Sequence, residues 1–123
     1  MSSTNDLRTT GELKQLILRI YNATNQVVWG TGVREQRVDL LGDRVLIVAV
    51  HQRVPALSAL DGAHRELTRQ VDVALVDHFK GVFSAEFERT LGVGVRAILK
   101  DYDPDTQLSC TLLVLDAPLV VER

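Results

Sequence analysis

A chain of 123 residues with 46% hydrophobic and 24% charged residues can bury about two thirds of its unfolded surface in one domain and is too apolar to stay disordered. Its net charge of -2 gives no field that would draw in a phosphate backbone or an anionic membrane, so nucleic acid is not an expected partner. The single cysteine, Cys110, excludes an intrachain disulfide and a cysteine-built zinc site, and points to a reducing compartment.

Residues 1–10 lack the basic-then-apolar order of a secretory leader, and no apolar run approaches the ~20 residues that span a bilayer. Cytoplasmic residence without membrane insertion is therefore expected. Residues 1–10 read as a flexible lead, 11–116 as the single domain and 117–123 as a tail. Thr9 and Glu12 have capping-box spacing, which starts a helix there. Leu13, Leu16, Ile17, Ile20, Tyr21, Thr24 and Val28 then fall on one helical face. Gly30 and Gly32 end it. Two strands follow around Gly42-Asp43, a pair suited to a tight hairpin turn. The second holds the unbroken apolar run Val45 to Val50, which predicts cover on both of its faces.

Pro55 suits the first turn of a helix. Behind it Leu57, Leu60, His64, Leu67, Val71, Ala74 and His78 alternate steps of three and four, with Leu75 beside Ala74, predicting one long helix. Gly81 is expected to interrupt it, with Ser84 capping a last segment that ends at Gly92. Two more strands, 93–102 and 107–116, flank the turn Asp103-Pro104-Asp105-Thr106. The sum is an α+β two-layer sandwich of order α-β-β-α-β-β, with a four-stranded, mainly antiparallel sheet and helices on one face. The pentapeptide Gly-x-Gly-Val-Arg occurs twice, at Gly30 to Arg34 and Gly92 to Arg96, each time between a helix and a hairpin.

This order of elements, with particular residues, resembles the MpsC-like family of small bacterial domains. The shared features are Gly11, the stretch Gly30 to Arg37, Arg53-Val54-Pro55, Leu91 to Val95, Asp101 to Asp105 and Leu112 to Leu115. They cover most of the chain. The family favours Thr before the helix proline, where this chain has Val54. The resemblance implies an accessory protein beside a bacterial system that generates membrane potential and takes up ions or inorganic carbon. It implies no catalytic residues.

Five candidate sites are weighed on their chemistry. His64 and His78, if on one continuous helix, stand about 21 Å apart, too far for a shared metal ion. Asp101, Asp103 and Asp105 copy the opening of a calcium loop, but Thr106 and Leu112 stand where it needs glycine and glutamate. The paired glycines close helices and open strands, the reverse of a phosphate cradle. Arg34, Arg37, Arg44 and Arg53 are interleaved with Glu35, Asp39 and Asp43 and lack stacking aromatics. Cys110 reads as a small packed hydrophobe. No metal or cofactor is expected.

A strand apolar on both faces and a helical stripe of period near 3.5 predict a homodimer. The resulting expectation is a non-enzymatic homodimeric module that binds a protein partner, and the resemblance implies that it is associated with a membrane system. The alternative is an enzyme or small-ligand protein with a pocket at the dimer seam, drawing on Gly30, Gly32, Arg34, His64 and His78 with Asp77.

Overall fold

Thr9 opens the first helix by accepting the Glu12 N–H at 3.1 Å, while the Glu12 carboxylate accepts the Thr9 N–H at 2.9 Å. These reciprocal bonds satisfy two donors that a helix start leaves unpaired. A computed structural model describes residues 8–119. Most of the expected lead and part of the tail, 1–7 and 120–123, lie outside the described residues. Helix α1 spans Thr10–Trp29 and buries Leu13, Ile17, Ile20, Tyr21, Thr24 and Asn25.

The elements that follow are β1 (Val33–Leu41), β2 (Arg44–His51), α2 (Pro55–Asp61), α3 (Arg65–Leu91), β3 (Val95–Asp103) and β4 (Leu108–Leu115). All strand pairs are antiparallel, in the order β1-β2-β4-β3. The expected α+β architecture is present, with the two hairpins joined through their second strands.

The repeated pentapeptide has a local cause. Gly30 and Gly92 both adopt φ of 72° and donate their N–H to the carbonyls of Gln26 and Glu88. Both are left-handed helix caps, a conformation open to glycine and costly for other residues. The strand beyond each cap then bulges, between Arg34 and Arg37 in β1 and between Val95 and Ala97 in β3. Each of these is an edge strand of the sheet.

The expected course of the second helix fails at several points. The predicted long helix breaks at Gly62 to His64, and α3 runs through Gly81 and Ser84 without interruption. Gly81 sits on an exposed face, where glycine weakens a helix by about 1 kcal/mol without breaking it. On the opposite face Phe79, Phe83, Phe87 and Leu91 recur every fourth residue and are buried, which carries the helix across that point. The predicted stripe is also displaced. His64, Leu67 and His78 are exposed, and the 27 residues of α3 reach about 40 Å, beyond strands of roughly 30 Å.

Helices α1 and α3 pack on one face of the sheet. Val45, Ile47, Ala49, Leu113 and Leu115 from the inner face join Ile17, Tyr21, Phe79, Phe83 and Phe87 in one cluster of buried side chains. The alternate residues of β2 and β4 point the other way. Leu46, Val50, Leu112 and Val114 are half-buried there, while Val48, Leu108 and Cys110 are exposed. The apolar run in β2 is therefore covered on one face, and the expected second cover is absent among the described residues.

Candidate functional site

Inward alternation along β3 places Ile98, Lys100 and Tyr102 toward the helices. The Lys100 ammonium thereby enters the layer between sheet and helices. Its Nζ donates to Ser109 Oγ at 2.8 Å, Thr111 Oγ1 at 3.0 Å and the Tyr21 hydroxyl at 3.2 Å. The first two come from β4, which lies beside β3, and the third from α1. Aromatic rings complete the surround, with Nζ 4.4 Å from the centroid of Phe79 and 5.7 Å from that of Trp29. The three acceptors around Nζ are neutral hydroxyls.

A charge with only neutral acceptors loses hydration without an opposite charge to offset it. Burial accordingly pushes the Lys100 amine down to about 7 from its usual value near 10.5. Tyr21 extends the chain, its hydroxyl lying 2.6 Å from His51 Nε2. Tyr21 oxygen accepts from Lys100, and the His51 tautomer sets which of Tyr21 and Nε2 donates in the second bond. Burial first, then the Lys100 charge, hold His51 at about 3, so its imidazole is neutral. Burial likewise pushes Tyr21 up. The relay is thus amine to phenol to imidazole.

A second polar cluster adjoins it. Arg53 is only 7% exposed and forks onto Asp61, Nε to Oδ2 at 3.0 Å and Nη2 to Oδ1 at 2.8 Å, while Nη1 donates to Asp72 at 2.7 Å. Its guanidinium lies 5.8 Å from the Tyr102 ring centroid. Arg53 thus ties the end of α2 and the start of α3 to the end of β2, which accounts for a helix break near Gly62. The Tyr102 hydroxyl donates to the His51 carbonyl at 3.2 Å, linking the clusters.

Two spaces border these groups. A cavity of about 10 Å³ between Trp29, His51, Arg53, Lys100 and Tyr102 has room for one water molecule. A groove of about 540 Å³ runs between α3 and β3, lined among others by Arg65, Asp72, Lys80, Lys100, Tyr102 and Asp105. Its charges are mixed, and Arg65 pairs with Asp105 at 2.8 Å beside it.

The residues singled out from sequence are dispersed. Gly30 caps α1, Gly32 is an exposed residue before β1, and Arg34 on β1 donates to Gln107 Oε1 at 2.9 Å. His64 is the residue before α3, and His78 borders a shallow depression with Asp77 and Glu86. Among the described residues, no group of three or more His, Cys, Asp or Glu is gathered that could hold a metal ion. Sequence reasoning missed Lys100 and Tyr21 as a pair. The available signal was parity, a lysine on the inward phase of a strand between Ile98 and Tyr102.

The third feature is the outer face of the sheet. Across its middle run Leu46, Val48, Val50, Leu108, Cys110, Leu112 and Val114, flanked on β3 by Ala97 and Leu99. Leu99 is 57% exposed and Leu108 50%. Contiguous apolar surface of this kind is a candidate contact site. No helix of the described residues is long and apolar enough to cross a membrane. Protein-family models, curated proteins and solved structures give no match to this chain.

Proposed function

We propose that the domain is a non-enzymatic protein-contact module that works as a homodimer, and that its cellular role is accessory to a membrane system for ion or inorganic-carbon uptake. The last part rests on the sequence resemblance alone. The observation that supports the contact role is the apolar outer face of β2 and β4, left uncovered by the described residues while α1 and α3 cover the other face.

Four strands of eight or nine residues present on the order of 500 Å². Two copies conceal about 1,000 Å², the lower end for a specific interface, so a micromolar dimer is expected. Light scattering during size exclusion at tens of micromolar should give twice the 13.7 kDa chain mass. Leu112→Asp, at the centre of the face, should return a folded species of single mass. A wild-type protein that stays at 13.7 kDa throughout ends the homodimer reading.

A second reading, a small-ligand protein or enzyme, has the Lys100 cluster beside a ligand-sized groove in its favour. Mild reductive methylation at pH 7.5 with peptide mapping tests it. A reachable neutral amine makes Lys100 react ahead of Lys14 and Lys80, whereas protection of Lys100 leaves the cluster purely structural.

A further inference from the structure

Neighbouring residues across the strands form rows on the outer face. One row reads Arg37, Val48, Cys110, Asp101, and the next reads Arg34, Val50, Leu108, Asp103. Each is basic at the β1 edge, apolar in the middle and acidic at the β3 edge. A third row, Asp39, Leu46, Leu112, Leu99, carries the apolar centre onward, with Asp39 held by Arg37 at 3.1 Å, and the last, Leu41, Arg44, Val114, Ala97, ends it with Arg44 beside Asp43 at the rim.

Such rows complement themselves when turned end for end. We propose that a second copy docks on this face about a two-fold axis that lies parallel to the strands between β2 and β4. The β1 edge of each copy then lies over the β3 edge of the other, with Arg34 and Arg37 facing Asp101 and Asp103. This rests on the homodimer reading above and specifies its geometry.

Three observations favour this arrangement. First, the row order matches without a shift along the strands, because a rotation about that axis keeps each row at its own height. Second, stacked sheets lie ~10 Å apart and turn by ~30°, which slides the edges by about half a row. An arginine spans that offset and meets an aspartate of either row. Third, both edge strands are bulged, which disfavours pairing edge to edge and leaves the face as the route of association.

The other face-to-face two-fold, with its axis across the strands, reverses the row order. It sets Asp101 over Leu99 and Asp103 over Ala97 of the other copy, stranding two carboxylates that form no ion pair among the described residues, whereas the proposed axis sets only Asp39 over Leu99, with Arg37 still paired to it.

Exchange of one charge pair separates these cases. Arg37→Asp alone, or Asp101→Arg alone, places like charges in both symmetric contacts and should weaken the dimer about tenfold at low salt. The chain carrying both substitutions should return to within about threefold of wild type, because the exchanged edges again face opposite charge. Sedimentation equilibrium gives the dissociation constants, and circular dichroism confirms that each variant is folded. A wild type that is monomeric removes the homodimer reading and this arrangement with it. A wild type that dimerises while the single substitutions have no effect, or while the double substitution stays as weak as the singles, overturns this arrangement and leaves the homodimer standing.

Discussion

Wild-type protein should gain about 3 kcal/mol of stability between pH 7 and pH 9.5, and Lys100→Met should abolish most of that gain. The Lys100 amine is lowered to about 7 in the fold, against a value near 10.5 in the unfolded chain. Between these values the unfolded state binds the proton and the folded state does not, so stability rises with pH through that window. Below pH 7 the amine is charged in both states and the folded protein carries the desolvation cost. His51, lowered to about 3 by burial, acts in the same sense in the acid range: its contribution is present above pH 6.5 and lost as pH falls toward 3. Methionine keeps the length of the side chain and packs well against Phe79 and Trp29. At pH 7 the variant should therefore be as stable as wild type or more so by 1–2 kcal/mol, in the manner of other buried charges replaced by apolar groups. Urea unfolding at pH 7 and 9.5 measures both effects. A Lys100→Met protein that is weakened at pH 7 and keeps the wild-type pH slope would show that the ammonium is well compensated where it lies.

Arg53→Ala should destabilise the protein by about 3 kcal/mol at neutral pH, the range for removing one partner from a sequestered ion pair. Asp61 and Asp72 retain only 18% and 14% of their side-chain exposure, and without the guanidinium both carboxylates stay poorly hydrated and unpaired. Hydrogen bonding from Arg53 holds the Asp61 carboxyl below its usual value. A lowered carboxyl contributes stability above its unfolded pKa and loses it as pH falls, so the gap between wild type and Arg53→Ala should narrow below about pH 4. Arg53→Lys should recover only part of the loss, because an ammonium cannot fork onto Asp61 and also reach Asp72. Denaturant titrations at pH 7 and 3.5 decide the matter. A loss under 1 kcal/mol at pH 7 would mean that the helix break at Gly62 is held by other contacts.

What the sequence made legible was local. The Thr9 cap, the stripe from Leu13 to Thr24 and the turn at Gly42 each depend on residues within a few positions, and all appear in the structure. Gly62 and Gly81 look alike in sequence, yet only the first lies at a break. The difference comes from Phe79 and Phe83, which anchor one site to the core, and from Arg53, which fixes the other by distant bonds to Asp61 and Asp72. Tyr21, His51 and Lys100 converge from α1, β2 and β3. That meeting depends on β2 lying beside β4, a pairing that hydrophobic alternation does not specify. The double-sided apolar pattern of β2 was visible from the start, although a sequence cannot say which of its faces a single copy covers.

The strand order also bears on how the molecule assembles. Each hairpin closes over a short loop, but the β2–β4 ladder, where Leu46 meets Leu112, joins the two halves of the chain and has the largest loop-closure cost. During synthesis the first hairpin emerges with β2 as a bare edge, and it stays so until residues 108–115 arrive. Mispairing of nascent chains is most expected in that interval, and substitutions confined to this seam should chiefly hasten unfolding if it zips last.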